Sequence, residues 1–424
     1  MKSFDAAAAL DALSDLDHPT KRDASDWAAE NLDDPKLSER DRDCQFWHEG
    51  WSRAAKQGIT GLMVDPAYGG GGHDVFHTLL TFEGLGYGCS DAGLLFGLST
   101  QVWTMQPLIE RFGSETQKQR YLPGLCSGEF RAAFCITEAE SGSDTFAMGT
   151  AFSIENEAAS GDPDSAAEPV YVLSGRKSYI TMAPEADVFI VFATSDPALG
   201  HWGVSAFLID ADHPGLSVSE NRSKMGLRTT PFADVSFDQC RLGPEHVLGT
   251  IGSGASIFSA AMEAERAFVF AGQIGAMERQ LDDTVAYSRE RSQFDQPIGD
   301  FQAVAHRLAD MKLRHDNARL QMYRAAILEA QGRPSMEAAA LAKIQASEAA
   351  VASSIDAVLT HGARGFITEF GVERDLRNVA GGVVYGGTSD VQRNIVARLG
   401  RPLRGSALSV RRTSSHPGVL IGQS

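Results

Sequence analysis

The texture of the chain changes twice along its length, and this double change constrains the fold more than any single motif. Residues 1–130 carry apolar residues at helical spacing; Phe46, Trp47, Trp51 and Ala54 recur within the charged run from Ser38 to Lys56. Ser114-Glu115-Thr116-Gln117 has the form of a capping box at a helix start. From Arg131 the pattern becomes short β-branched and aromatic runs, at 131–137, 170–173, 188–194 and 204–209. Turn residues such as Ser174-Gly175 and His213-Pro214-Gly215 divide them. From about Gly252 to Leu399 the helical pattern returns. Helices, then strands, then helices predict an α+β protein of three domains. These are an N-terminal helical domain over 1–130, a middle antiparallel β domain over 131–248 and a C-terminal four-helix bundle over 249–404. The acidic, Ala/Ser/Gly/Pro-rich stretch Ser153 to Pro169 predicts a surface loop between two strands, and residues 405–424 a disordered tail.

Charge and cysteine usage exclude several classes. The 424 residues carry a formal net charge of −17, against a nonspecific nucleic-acid binder and against docking on an anionic membrane. The five cysteines, Cys44, Cys89, Cys126, Cys135 and Cys240, include no C-x-x-C pair, as in a reducing compartment. No signal-peptide core and no bilayer-length apolar run is present, so a cytoplasmic location is expected. The histidines lack metal-ligand spacing, and no metal site is expected. Gly69 to Gly72 is not followed by Gly-Lys-Ser/Thr and is no phosphate loop.

Four segments carry candidate chemistry. Thr137 and Glu138 end a strand, and the small-residue loop Ala139 to Asp144 follows; Thr137 and Ser143 add hydroxyl donors to accessible backbone N–H groups. Gly175-Arg176-Lys177-Ser178-Tyr179-Ile180-Thr181 opens a strand with an aromatic and a hydroxyl on one face. Arg291 stands three residues before Phe294, with Gln302 beyond, a guanidinium and an aromatic suited to phosphate and a stacked purine. Alone, each piece reads more readily as a turn, a hairpin and a charged helix end. The fourth segment is Tyr385-Gly386-Gly387-Thr388-Ser389-Asp390-Val391-Gln392-Arg393.

Taken together, these pieces resemble the acyl-CoA dehydrogenase superfamily in order and spacing, over roughly residues 40–404. Gly58 to Gly70, Lys224 to Arg228 with Val235 to Phe237, and His361 to Phe366 extend the likeness. The resemblance implies FAD as cofactor, with Thr137, Ser143, Tyr179, Thr181, Thr388 and Asp390 beside it and Ser143 also touching substrate. It implies that Arg291, Phe294 and Gln302 reach the FAD of a neighbouring subunit, hence a homo-oligomer, dimer or tetramer. Ala363 and Asp295 depart from glycines usual in the family.

The last loop departs further. It resembles the family's Tyr-Glu-Gly-Thr-Ser-x-Ile-Gln-Arg, whose glutamate is the catalytic base in many members, but Gly386 stands in that place. Its backbone N–H can still stabilise an enolate oxygen and contact substrate. A replacement base lies upstream. Phe258, Met262, Glu265, Val269 and Gly272 fall on one helical face, so Glu265 is a carboxylate within an apolar stripe. Such a carboxylate is costly unless paired with an Arg or functional. Isovaleryl-CoA and long-chain members carry their base immediately before an Arg on this helix, and Glu265-Arg266 matches them, with Arg266 as a substrate-pocket neighbour. The resemblance thus implies dehydrogenation of an acyl-CoA, with an electron-transferring flavoprotein as acceptor. Alternatives are the same reaction on an acyl-carrier-protein substrate, a flavin monooxygenase, or an inactive flavin-binding scaffold.

Overall fold

The structure, a computed structural model, describes residues 18–157 and 168–399. Helices α1 (Pro19–Asn31), α2 (Leu37–Asp43), α3 (His48–Lys56), α4 (Val75–Gly88), α5 (Ala92–Thr100), α6 (Gln106–Phe112) and α7 (Glu115–Ser127) come first. The Ser114 hydroxyl accepts from the Gln117 N–H at 3.2 Å, and the Gln117 side chain accepts from the Ser114 N–H at 2.9 Å, completing the capping box. The run from Ser38 to Lys56 is two helices rather than one, because Cys44 turns left-handed with φ 53°. A turn of π-helix, Gln101–Met105, joins α5 to α6. Trp51, Phe82 and Trp103 fill the core beneath.

The middle region is one eight-stranded sheet of β1 (Ala132–Cys135), β2 (Ala151–Glu157), β3 (Glu168–Thr181), β4 (Val188–Thr194), β5 (Val204–Asp210), β6 (Leu216–Val218), β7 (Phe232–Leu242) and β8 (Val247–Leu248). Its order is β6-β7-β3-β2-β4-β5-β8, with β1 also on β4. The sheet is not wholly antiparallel as expected: β1 runs parallel to β4, and β2 meets β4 in parallel at Ala151 and Thr194. β4 is buried along its whole length, which accounts for its unbroken apolar run. Ser174-Gly175 is no turn but the interior of the 14-residue β3, at a shift in its pairing with β7. A side chain on Gly175 would lie 2.6 Å from Thr150, so the bulge requires glycine there. The expected loop at 153–169 is shorter than read, since Ser153 to Glu157 and Glu168 to Pro169 pair as strands. Residues 158–167 and the expected tail at 405–424 lie outside the described residues.

The C-terminal helices are α8 (Gly254–Phe268), α9 (Ala271–Glu290), α10 (Gln302–Ala330), α11 (Met336–His361), α12 (Ala363–Phe366), α13 (Val372–Ala380) and α14 (Ser389–Leu399). A small hairpin, β9 (Ser292–Gln293) and β10 (Gln296–Pro297), lies between α9 and α10. The apolar stripe from Phe258 to Gly272 does not run along one helix. The chain breaks at Val269 and Phe270, which leaves Phe258, Met262 and Glu265 on α8 and carries Gly272 onto α9. The first and last regions are locked by a buried polar network. Glu83 of α4 accepts from Arg319 at 2.7 Å and from the Tyr323 hydroxyl at 2.9 Å, both on α10.

Candidate active site

The end of β1 and the middle of β3 form one wall. The Ser178 N–H donates to the Thr137 carbonyl at 2.8 Å. Behind it Glu138 accepts from Lys177 Nζ at 2.7 Å and from the N–H groups of Gly149 (2.6 Å) and Thr150 (3.0 Å). Lys177 Nζ also donates to the Ile136 carbonyl at 3.0 Å. Burial alone would raise the Glu138 carboxyl, but Lys177 and the backbone donors outweigh it and hold it below its ordinary range. This pair pins the loop that carries Ser143, which is itself exposed. Sequence reasoning quoted both residues and gave neither a role.

A second shift in the β3–β7 pairing, between Lys177 and Ile180, turns Tyr179 outward with φ 63°. Its ring is half-exposed, stacked on Phe232 at 6.1 Å and covered by the Arg222 guanidinium at 5.6 Å. Asp234 accepts from the Tyr179 N–H at 3.3 Å and from Arg222 at 2.6 Å, and the Arg222 hydrogen bond holds its carboxyl below the usual range. Thr181 follows, partly accessible, paired with Phe232. A half-exposed aromatic ring near the partly accessible Thr137 and Thr181 fits a planar heterocycle rich in acceptors, as FAD is.

Glu265 and Gly386 are brought together from α8 and the last loop. A Cβ built on Gly386 would lie 3.9 Å from Glu265 Oε1. Glu265 keeps part of its surface accessible while protein surrounds it. Among the described residues it makes no ion pair within 4 Å, so the structural Arg pairing is absent. The one side-chain hydrogen bond it makes among the described residues is from the Thr104 hydroxyl, at 3.4 Å. Burial pushes the carboxyl up to about 7, opposed by the neighbouring Arg266 charge and by Thr104. Arg266 is itself partly buried, and its Nε has no partner among the described residues. Thr104 stands on the π-turn, a feature with no signal in the sequence.

Gly386 has φ 65°, and among the described residues its N–H donates to nothing, whereas its carbonyl accepts from Gln392 Nε2 at 3.0 Å. In the same loop the Thr388 hydroxyl accepts from the Val391 N–H at 3.2 Å, and Asp390 is exposed. Arg291, Phe294 and Gln302 stand apart on the β9–β10 hairpin and the start of α10, all exposed, Phe294 by 89%. Phe294 and Asp295 both take positive φ, 52° and 63°, in a two-residue hairpin turn. Asp295 tolerates that conformation, so the loss of the family's glycine does not abolish the turn.

Comparison with known proteins establishes the family. The acyl-CoA dehydrogenase N-terminal, middle and C-terminal domain models match residues 17–129, 133–240 and 252–400. An L-prolyl-[peptidyl-carrier protein] dehydrogenase of Pseudomonas fluorescens is 41% identical over 83% of this chain and 90% of its own. The crystal structure of the prolyl acyl carrier protein oxidase AnaB superposes with a TM-score of 0.85 at 35% identity, covering 94% of this chain and all of the other. PigA with FAD and proline gives 0.83 at 33% identity, covering 94% of this chain and 99% of that one. The chain belongs to the acyl-CoA dehydrogenase family. It is a flavoprotein oxidoreductase, and FAD is its cofactor. No helix among the described residues is long and apolar enough to cross a membrane.

Proposed function

We propose that the protein catalyses FAD-dependent dehydrogenation of a small acyl thioester carried on a carrier protein, a prolyl group being the leading candidate. The observation that carries the chemistry is Glu265 set against the uncommitted N–H of Gly386. Glu265 removes the α proton. The Gly386 N–H donates to the thioester oxygen as negative charge develops there. FAD, bound beside Tyr179, Thr181, Thr137 and Ser143, supplies the acceptor for the hydride that leaves the β carbon. The Cα=Cβ bond forms as the proton and hydride depart. Arg266 beside Glu265 tempers the cost of its charge. A carboxyl that titrates near 7 is matched to proton abstraction at neutral pH, which favours a dehydrogenase over an inactive scaffold.

The choice of carrier over CoA is supported by the relatives, whose names specify carrier-bound prolyl groups. Electrons then pass to a separate acceptor, an electron-transferring flavoprotein by family analogy. Anaerobic bleaching of the purified yellow protein tests the reading. Prolyl-loaded carrier protein is expected to reduce the flavin, and prolyl-CoA and butyryl-CoA to reduce it at least tenfold more slowly. Equal or faster reduction by butyryl-CoA would return the substrate to the acyl-CoA class.

A further inference from the structure

The connection between β4 and β5 (Pro197–Gly203) leaves two apolar side chains in water, Trp202 at 73% exposure and Leu199 at 51%. The turn before α8 lies against it. There the Gly252 N–H donates to the Ser205 hydroxyl at 2.9 Å, and a Cβ on Gly252 would stand 3.4 Å from the Trp202 carbonyl. Ile251 on this turn is exposed as well. A chain of rings leads inward from the patch. Trp202 lies 4.7 Å from His201, His201 lies 6.4 Å from Phe146, and Phe146 meets Phe258 edge-on at 5.6 Å. Phe146 shares its loop with Ser143. Phe258 precedes Glu265 by two turns on one face of α8, about 10 Å along the axis. The patch is thus joined, contact by contact, to the loop that carries Ser143 and the helix that carries Glu265.

We propose that Leu199, Trp202 and Ile251 form the docking surface for the carrier protein whose phosphopantetheine arm delivers the acyl group. The inference rests on the proposed carrier-bound chemistry and adds the place where the carrier sits. Size favours this occupant over a second copy of the chain. Three partly exposed apolar side chains present on the order of a few hundred Å², whereas a stable interface takes about 800 Å² from each partner. A carrier must leave after each turnover, so a small apolar contact suits it. Charge fits too. The two turns carry only Asp196, whose carboxylate accepts from the Ala198 N–H at 2.8 Å, and His201. Behind the second turn the Phe112 carbonyl accepts from the Gly249 N–H at 3.1 Å, and the Arg111 guanidinium covers the Phe112 ring at 5.1 Å. Arg111 is exposed and makes no ion pair among the described residues, which leaves it able to meet the phosphodiester that joins the arm to the carrier.

The test uses the FAD-loaded protein with two probes, prolyl-pantetheine and the prolyl-loaded peptidyl carrier protein served by the Pseudomonas fluorescens relative. Carrier binding is read by calorimetry, flavin reduction by anaerobic bleaching and mass by sedimentation. Trp202→Ala is expected to weaken carrier binding at least tenfold and to raise by as much the carrier concentration that half-saturates bleaching. The limiting bleaching rate, and the rate with prolyl-pantetheine, are expected to change less than threefold. Trp202→Phe, which keeps an aromatic ring, is expected to retain most of the binding. Ile251→Asp, on the other turn, is expected to match the loss in Trp202→Ala. Folded, yellow Trp202→Ala and Ile251→Asp proteins that bind the carrier as wild type does overturn the docking surface. So does an equal loss with prolyl-pantetheine, which puts Trp202 inside the cleft, and a fall in sedimenting mass, which puts it between copies of the chain. A wild type that does not bind the carrier overturns it as well. Carrier binding that depends on Trp202 but bleaches no flavin upholds the surface and sinks the proposed reaction instead.

Discussion

Glu265 illustrates how one residue can be both out of place in its helix and in place for chemistry. Its carboxyl is held up to about 7, burial being the main cause. Glu265→Gln keeps the shape and the Thr104 contact but accepts no proton. It is expected to stay yellow and to slow single-turnover flavin reduction by about 10²–10⁴-fold, the usual share of a positioned general base. In wild type the reduction rate is expected to rise with pH through about 7 and level off above it, as the carboxylate form accumulates. An unchanged rate in Glu265→Gln would mean a different base. The same shift affects stability. A carboxyl whose folded pKa is raised adds stability below its unfolded value, and this is lost as pH climbs through the folded value. Glu265→Gln is therefore expected to be more stable than wild type above pH 7, on the order of 1–3 kcal/mol, and nearly equal to it at pH 4, measured by urea unfolding. Part of this was legible in sequence, because a carboxylate in an apolar stripe stands out and Gly386 marks the missing base. The Thr104 contact was not, since it depends on how a π-turn rotates one hydroxyl.

At the scale of elements, β3 shows what pattern reading captures and what it loses. The order of helices and strands follows from periodicity, and the long helices α10 and α11 follow from theirs. Ser174-Gly175 has turn composition, yet backbone pairing on both sides carries the strand through it. The break after Phe268 was equally hidden, because Phe268, Val269 and Phe270 continue the apolar run across it and packing decides the bend. β3 also carries Lys177, whose pairing with Glu138 ties the strand to the loop of Ser143. Glu138→Gln leaves an ammonium buried without its counter-charge. It is expected to lower stability by about 3–5 kcal/mol and to weaken FAD retention. The depressed Glu138 pKa gives stability that is present above its unfolded value and lost as pH falls through the folded one. Acid melts should therefore be steeper for wild type than for Glu138→Gln, and parallel melts would contradict the assignment. At the other end of the strand, Glu157 pairs directly with Glu168. Replacing residues 158–167 by Asn-Gly, which suits a two-residue hairpin, is expected to leave the melting temperature within about 2 °C. A collapse in soluble yield would show that the segment packs on something.

The surface of the whole molecule carries apolar groups that an isolated chain leaves in water. Phe294 is 89% and Phe366 82% exposed, and Leu313 and Leu320 on α10 and Ile355 and Leu359 on α11 are each about half-exposed. Leu313 and Leu320, and Ile355 and Leu359, recur at helical spacing on one face of each helix, and an apolar face left in water marks an association surface. Arg291 precedes the hairpin that carries Phe294 and Gln302 begins the helix after it; all three are exposed and distant in sequence from the Tyr179 wall, and no hydrogen bond or ring contact among the described residues joins them to it. We therefore expect a homo-oligomer in which this hairpin serves the flavin of a neighbouring subunit. Two variants separate the interface from the flavin contact. Leu359→Glu places a charge on the apolar face of α11 and is expected to lower the sedimenting mass and, with it, the FAD content. Arg291→Ala is expected to leave the mass unchanged and to weaken FAD retention by about 1–3 kcal/mol, the range for a lost charge-assisted hydrogen bond. Sedimentation velocity recorded at both 280 nm and the flavin band reads mass and occupancy in one run. A monomer with full flavin occupancy would show that each chain completes its own site, and the hairpin residues would then need another role.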